Sequence, residues 1–231
     1  MDVSLDHYEK LADLFTYPDQ AFPVRTRELQ KLLDETCTPA ADELREFTEY
    51  AQGATRVELE EVYTRSFDVQ AVTTLDLGYV LFGDDYKRGE LLVNLNREHK
   101  EAGVDCGTEL SDHLPNVLRL LACMKDATLR DEIVLRILAP ALRKIVREFD
   151  PENLEKKSAV YKKHHKTLIE RSEHHGVIYS CTVKALYAVL DRDFVVEAEA
   201  APAPRQQSQF LSSIGTEMTI ECQKGNCHDA T

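Results

Sequence analysis

The chain has 231 residues, 43% of them hydrophobic, and a formal net charge of −13. That length suffices for one good-sized domain or two small ones with a substantial core. Such an acidic surface disfavours nucleic acid and anionic membranes as partners and attracts basic ones, although it also serves simple solubility. The 9 glycines and 8 prolines are few for an all-β protein, which needs more turn residues, so the composition favours a helical fold.

The location of the protein is predicted from its hydropathy and its first residues. No stretch of about 18 apolar residues is present, so no membrane span is expected. The N-terminal stretch MDVSLDHYEKLADLF carries acids where a secretory signal needs a basic head and an apolar core. We therefore expect a cytoplasmic protein whose six cysteines are mostly reduced thiols.

Apolar residues recur at helical spacing along most of the chain. The first periodic segment, SLDHYEKLADLF, places five apolar side chains on one helix face. These are Leu5, Tyr8, Leu11, Leu14 and Phe15. In chain order, further helices are predicted over residues 38–52, 55–67, 73–82, 86–102, 111–124 and 128–138, with two more runs from 151 to about 193.

Capping and helix-breaking residues set these predicted bounds. Gly83 and Gly103 are placed to end two of the helices, and Pro140 has to kink or restart the segment that contains it. Five helix starts are predicted: at Thr38 before Pro39, at the capping box of Thr55 and Glu58, at either Ser111 or Asp112, at Thr128, and at Asp150 before Pro151. A helix break is predicted near His174-His175-Gly176.

The fold class predicted from these patterns is all-α. Only FVVEAEA, from Phe194, has the composition of a strand, and no internal repeat is found. From about Ala198 the chain becomes small, polar and proline-bearing, which is typical of a disordered extension. The predicted organisation is therefore one helical domain over residues 1–197 and a flexible tail over 198–231.

The segment LFGDDYKRGE, residues 81–90, has the residue types of a small active site. Asp84 and Asp85 are candidate Mg²⁺ ligands, but Lys87 and Arg88 would compete for the two carboxylates. A phosphate-binding loop needs a run of glycines, whereas this segment has two glycines and two acids. A charged loop between two helices is the preferred interpretation on local grounds.

A cysteine-bearing tail motif and two histidine pairs have the residue types of metal ligands. In CQKGNCH, the side chains of Cys222, Cys227 and His228 are weak candidate zinc ligands, because a closed site needs a fourth ligand. This motif leaves open a regulator that senses redox state or metal through the tail. The pairs His164-His165 and His174-His175 point apart on a helix and are read as exposed polar faces.

The segment ELSDHLPNVLRLLA, residues 109–122, begins a helix. Asp112 in the first turn would accept orphan N–H groups, and Pro115 fits the same turn. Asp112 and His113 also form a candidate acid–imidazole pair. A helical metal-dependent hydrolase that uses such Asp and His residues is therefore a second open alternative.

Taken together, the two segments resemble the molybdoenzyme assembly chaperones, the family of NarJ (the nitrate reductase delta subunit), TorD and DmsD. The family pattern runs approximately LFG-D-S-x-x-RG-x-x-L, then a helix, then E-L-P-D-H-L-P-x-x-L. The matching residues are Phe82, Gly83, Asp84, Arg88 and Gly89 in the first part, and Glu109, Leu110, Asp112, His113, Leu114 and Pro115 in the second. Asp85 and Ser111 replace the usual serine and proline, and the resemblance spans residues 5–193 but is sharp only over 79–122.

The resemblance implies a single multi-helix domain and a non-enzymatic role without a bound cofactor. Members bind the N-terminal segment of a molybdopterin-containing catalytic subunit, often a twin-arginine signal or its remnant. They hold the apoenzyme ready for molybdenum cofactor insertion and delay export or membrane docking. The client expected here is nitrate reductase or a close relative, and the protein is expected as a monomer or a domain-swapped dimer.

A basic, partly apolar peptide is bound best by an apolar helical groove with an acidic rim. We expect Tyr79, Phe82 and Leu114 to line or support that groove. We expect Asp84, Glu109 and Asp112 to face the basic residues of the peptide. The remaining predicted site residues are Arg88, His113 and Pro115. Arg88 would hold its own loop through Asp84 or Asp85. His113 would modulate binding near neutral pH or make a structural hydrogen bond.

Overall fold

The protein is all-α in the computed structural model, which describes residues 5–155 and 177–196. Within those two ranges the only β pairing is an isolated antiparallel bridge between Asp76 and His113. The first half contains α1 (His7–Ala12), a 3₁₀ turn (Asp13–Phe15), α2 (Phe22–Thr36), α3 (Thr38–Gly53), α4 (Arg56–Phe67) and α5 (Leu77–Phe82). The second half contains α6 (Tyr86–Ala102), α7 (Leu114–Cys123), α8 (Ala127–Ile133), a π-helical turn (Val134–Leu138), α9 (Ala139–Glu148) and α10 (Tyr179–Phe194), and residues 151–155 are also helical.

The core lies between packed pairs of helices, some adjacent in sequence and some distant. Helix α10 packs against α3 and α9, α2 packs against α3, and α1 packs against α7. The predicted apolar face of residues 5–15 is buried throughout. Aromatic rings fill the centre: Tyr179 lies with its ring centroid 4.9 Å from those of both Phe47 and Phe67, and 5.9 Å from that of Tyr63.

Several helix bounds are set by local signals and follow the prediction. The capping box of Thr55 and Glu58 is present at the start of α4. Helix α6 runs over the predicted residues, and its C-cap Gly103 adopts the left-handed conformation with φ 72°. Pro140 stands in the first turn of α9, directly after the π-helical turn, so the chain restarts its helix there as expected.

Other local predictions were wrong. Residues 73–76 are not helical, because Leu75 and Leu77 bond instead to the backbone of residues 112–114. The N-cap of α3 is Cys37, and the side chain that caps α8 is that of Asp126. The all-α prediction itself is confirmed here, because the described start of FVVEAEA, residues 194–196, forms no strand.

Helix α2 has no predicted counterpart, because its buried face is not uniformly apolar. It includes Thr26, whose hydroxyl donates to the Phe22 carbonyl at 2.9 Å. It also includes Gln30, whose amide donates to the Ala41 carbonyl at 3.0 Å. Polar side chains that bond internally can be buried at little cost, and they interrupt the apolar period by which such a helix is recognised.

Some sequence-based predictions concern residues outside the described ranges. These are the disordered tail over 198–231, the Cys222, Cys227 and His228 motif, and the histidine pairs at 164–165 and 174–175. The domain boundary at residue 197 therefore stays a prediction. Among the described helices, none is long and apolar enough to cross a membrane.

Candidate functional site

The two segments that resemble the chaperone signature meet in space. Asp76, just before α5, pairs with His113, just before α7, in the isolated antiparallel bridge. The Leu77 N–H donates to the Asp112 carbonyl at 3.0 Å, and the Leu114 N–H donates to the Leu75 carbonyl at 2.9 Å. These backbone hydrogen bonds hold the starts of α5 and α7 side by side.

Arg88 of α6 ties this junction together. Its Nη2 donates to Asp76 Oδ2 at 2.9 Å and its Nε donates to Asp112 Oδ2 at 3.2 Å. The guanidinium also lies 5.3 Å from the ring centroid of Tyr79, a cation–π contact. The second oxygen of Asp76, Oδ1, is 3.1 Å from Nδ1 of His113. One arginine therefore bridges carboxylates that precede two different helices.

Asp112 is the buried member of this group. Its side chain is 0% exposed, and Oδ2 accepts the Gly78 N–H at 3.1 Å as well as the Arg88 bond. The other oxygen, Oδ1, is buried without a hydrogen-bond partner among the described residues. Burial, reinforced by the charge of Asp76, raises the pKa of Asp112 against the opposing influence of Arg88.

The carboxyl of Asp76 behaves in the opposite way. The hydrogen bond from His113 and the charge of Arg88 hold the pKa of Asp76 below its usual range, against the effect of burial. A lowered pKa keeps Asp76 ionised, so that it pairs with the Arg88 guanidinium and accepts the hydrogen bond from His113. The two carboxylates thus share one guanidinium. The ionised form is favoured at Asp76, which is the less buried of the two.

His99 and Ser111 attach the segment before α7 to α6. Nε2 of His99 is 3.1 Å from the Ser111 carbonyl and therefore donates to it, and the Ser111 hydroxyl donates to the Leu92 carbonyl at 3.1 Å. His99 is 2% exposed, and burial lowers its pKa. A neutral imidazole is thus built into the packing of this loop.

The outward surface of α6 beside this junction carries apolar groups. Tyr86 is 58% exposed and Val93 is 69% exposed, and they lie seven residues apart on one helix face. Gly89, on the same face between them, is exposed, and a Cβ there would meet nothing within 4 Å. Two exposed apolar side chains therefore flank a gap at a glycine in the interior of a helix.

The predicted site residues divide into exposed and buried groups. Tyr79 is 44% exposed, Phe82 is partly buried against the core, and Asp84 and Glu109 are exposed. No hydrogen bond or ion pair joins Asp84 to another described residue. Asp85 has a structural use, because its Oδ1 accepts the Lys87 N–H and caps α6.

The packing of the junction corrects the expected roles of Asp112, Pro115 and Arg88, and it leaves Leu114 the supporting one of its two expected roles. Asp112 cannot face a peptide, because it is fully buried and bonded to Arg88 and Gly78. Leu114 and Pro115 are buried in the first turn of α7, so they support the surface from below without lining it. Arg88 bonds to Asp76 and Asp112 and not to Asp84 or Asp85, because its side chain points into the junction.

Asp112 was also expected to cap α7, and this too was wrong. His113 occupies the N-cap position, and no side chain caps that helix. The carboxylate of Asp112 is instead directed to Gly78, across the junction. Asp112 therefore bonds to Gly78 and Arg88, which are distant in sequence, and does not cap its own helix.

Sequence reasoning missed Asp76, Gly78 and His99. An acid directly before a short apolar helix was a usable signal for Asp76, although its partners lie 12 and 37 residues away. Gly78 stands in the apolar run LGYVLF, where a glycine inside a helix points to a close approach. His99 lies on the same face as Leu91 and Leu95 of α6, so its burial could have been expected from spacing alone.

In residues 5–155 and 177–196, no three side chains of His, Cys, Asp or Glu come together as a candidate metal site. The pair Asp84-Asp85 is not part of such a group.

Comparison with known proteins adds no family assignment, since no protein-family model matches the chain and no curated protein is similar to it.

Proposed function

We propose that this protein is a chaperone for the catalytic subunit of a molybdopterin-containing oxidoreductase, with nitrate reductase or a close relative as the client. In this role it binds the basic, partly apolar N-terminal segment of that subunit in the cytoplasm and supports cofactor insertion before docking or export. The proposal rests on the resemblance of residues 79–122, and it is supported by the way these residues meet in an all-α fold. It requires no catalysis by this chain.

The observation that carries the proposal is the exposed face of α6. Tyr86 and Val93 offer apolar contacts, and Gly89 between them leaves room for a main chain to approach closely. A glycine in a helix interior costs about 0.5–1 kcal/mol relative to alanine. The gap it leaves suits a peptide that presses its backbone or a small side chain against α6.

Charge on the neighbouring loops supports a basic occupant. Asp84 precedes α6, and Glu109 lies in the segment that Ser111 attaches to α6; both acids are exposed. Arg88 is turned inward and bonded to Asp76 and Asp112, so its charge is compensated within the junction. An arginine-bearing segment is therefore attracted to this side of the protein.

The test is co-purification with the host's molybdopterin-containing catalytic subunit, either full-length or without its N-terminal segment. Capture is expected only with the full-length subunit, and equal capture of the truncated form contradicts the proposal. Tyr86→Ser combined with Val93→Ser is expected to weaken capture about tenfold or more. Val57→Ser is the matched control, since Val57 is 68% exposed on α4, and it should leave capture unchanged.

Two further variants separate binding from stability. Gly89→Ala should stabilise the free protein and yet weaken the complex, because its methyl group fills the gap on α6. Asp84→Lys should slow association and make it less sensitive to salt, whereas Glu28→Lys, on the exposed side of α2, should not. A complex that tolerates both Gly89→Ala and Asp84→Lys does not use this face.

A further inference from the structure

A groove of about 870 Å³ lies on a different part of the molecule, between α9, α10 and the junction of α2 with α3. Its non-polar lining includes Pro39, Val146 and Ala188. Its size is that of a site for a small molecule, since such sites usually measure about 300–1,000 Å³. None of the residues assigned above to the peptide-binding face lines this groove.

Positive charge collects in this groove although the chain as a whole is strongly acidic. Four cationic side chains line it, against the two acids Glu43 and Asp191. Arg143 and Arg147 are four residues apart on α9, so their guanidinium groups leave the helix on the same face. Lys184 belongs to α10, on the other wall.

Within the described part of the chain, three of these four cations have no carboxylate partner. Arg192 is the exception, because it bonds to Asp193 at 2.7 Å and to the Thr36 carbonyl at 3.0 Å. Among the described residues, no carboxylate forms an ion pair with Arg143, Arg147 or Lys184. Arg143 is oriented without one, since its Nη1 donates to the Tyr187 hydroxyl at 3.1 Å. Arginine held by a neutral partner keeps its charge available for an anion.

The backbone at the end of the groove adds to this preference. Helix α3 begins here, with Pro39 in its first turn and no side chain capping its N-terminus, so the positive end of the helix faces the groove. The opposing negative end of α2 is covered by Arg192 at Thr36. The charged and dipolar groups at the junction thus favour an anion.

From this arrangement we infer that the groove binds a small organic phosphate. Two planar guanidinium groups and a lysine offer more hydrogen-bond donors than the two oxygens of a single carboxylate can accept. The oxygens of a phosphate group match them better. The non-polar lining at Pro39, Val146 and Ala188 accommodates the organic part of the same molecule. This inference does not depend on the proposed chaperone function, because it uses other residues and another surface.

The test is isothermal titration of the full chain with phenyl phosphate and with inorganic phosphate. Phenyl phosphate is expected to bind the more tightly of the two, because only it covers the non-polar lining. Arg143→Gln combined with Arg147→Gln should weaken its binding at least about tenfold. Arg97→Gln is the matched control, because it removes an exposed positive charge from α6, and it should leave the affinity within about twofold.

Several outcomes overturn the inference. Equal losses in the Arg97 variant and the double variant show non-specific attraction, and equal affinities for the two phosphates show that no organic ligand is selected. Tighter binding of a glutamate-rich peptide than of phenyl phosphate makes the groove a protein-docking surface instead. Melting curves of each variant confirm folding, and an unfolded double variant is replaced by Lys184→Gln, for which the same tenfold loss is required.

Discussion

The carboxylate of Asp112 lies against the backbone of Gly78, although 34 residues separate the two in sequence. Oδ2 accepts the Gly78 N–H at 3.1 Å, and a Cβ added to Gly78 would come within 2.6 Å of the same oxygen. The absence of a side chain at residue 78 is therefore what allows the starts of α5 and α7 to touch. Arg88 then supplies the positive charge that the buried carboxylate requires.

Gly78→Ala is expected to destabilise the protein by about 2–3 kcal/mol, because the new methyl group would overlap Asp112 and press on Arg88 and Leu91. Gly89→Ala is the control on the neighbouring helix. Its methyl group meets nothing, so we expect a gain of about 0.5–1 kcal/mol. Urea denaturation measures both changes, and two variants of equal stability would contradict the close approach at Gly78.

Arg88→Ala is expected to cost about 3 kcal/mol at pH 7, since it leaves Asp112 buried and charged without a counter-ion. Arg97→Ala, also on α6, removes an exposed arginine that pairs with the adjacent Glu98 and should cost less than about 0.5 kcal/mol. The free energy of unfolding from urea titration distinguishes the two.

The stability that Arg88→Ala loses should also depend on pH. The pKa of Asp112 is already raised by burial, and loss of Arg88 raises it further. A carboxyl whose pKa is higher in the folded state costs stability as pH rises and ceases to do so once it is protonated. The deficit of Arg88→Ala relative to the natural protein should therefore shrink as pH is lowered towards 4. A deficit that stays constant with pH means that the cost is not electrostatic.

The imidazole of His99 should make stability fall on the acidic side of neutrality. Its pKa is lowered by burial from the ordinary value of 6.5, so the unfolded chain takes up a proton before the folded protein does. The contribution of neutral His99 is present above pH 6.5 and is lost as pH falls through the lower pKa of the folded state. NMR titration of the His99 ring should give a pKa below 6.5, and His99→Gln should flatten this part of the stability profile.

A separate ion-pair group joins the first and last described helices. Asp193 Oδ2 is 2.7 Å from His7 Nε2 and accepts the Tyr8 hydroxyl at 3.0 Å, while Oδ1 accepts from Arg192 at 2.7 Å. Burial by itself would raise the pKa of Asp193, but the hydrogen bonds from His7 and Arg192 outweigh it and lower that pKa to about 2.

Asp193→Asn should therefore destabilise the protein by about 1–2 kcal/mol at neutral pH, a value discounted for solvent screening. The carboxylate stabilises the fold above its unfolded pKa of 3.8, and this contribution disappears as pH falls towards about 2. The difference between the two proteins should close over that interval. Asp42→Asn, at an exposed site on α3, should show a difference of less than about 0.5 kcal/mol at any pH.

Local signals and long-range contacts account for different parts of the prediction. Helix α6 could be predicted to the residue, because Asp85 caps it and Gly103 ends it through their own backbone and side-chain bonds. The start of α5 could not, because Leu75 and Leu77 bond to residues that are distant in the chain. Helix α2 escaped notice because the polar residues Thr26 and Gln30 are buried within its packed face.

The candidate site divides in the same way. Its residue types and order were visible in the sequence, and this included the two segments that resemble a known signature. The roles of individual side chains were not visible: Asp112 was expected at the surface and is buried, and Arg88 was expected to hold its own loop and instead bridges two others. An ion pair between distant helices depends on how those helices pack. The spacing of apolar residues within one helix does not predict that packing.

The sequence by itself determined an all-α protein and most of its helices, because helix periods, caps and glycine stops act within a few residues. The tertiary structure alone decided that Asp76, Arg88 and Asp112 form one network at the start of α7. It also decided that Arg143, Arg147 and Lys184 face a common groove. The physical reason is that burial and charge pairing depend on which helix faces meet, and each face is chosen by contacts between segments far apart in the chain.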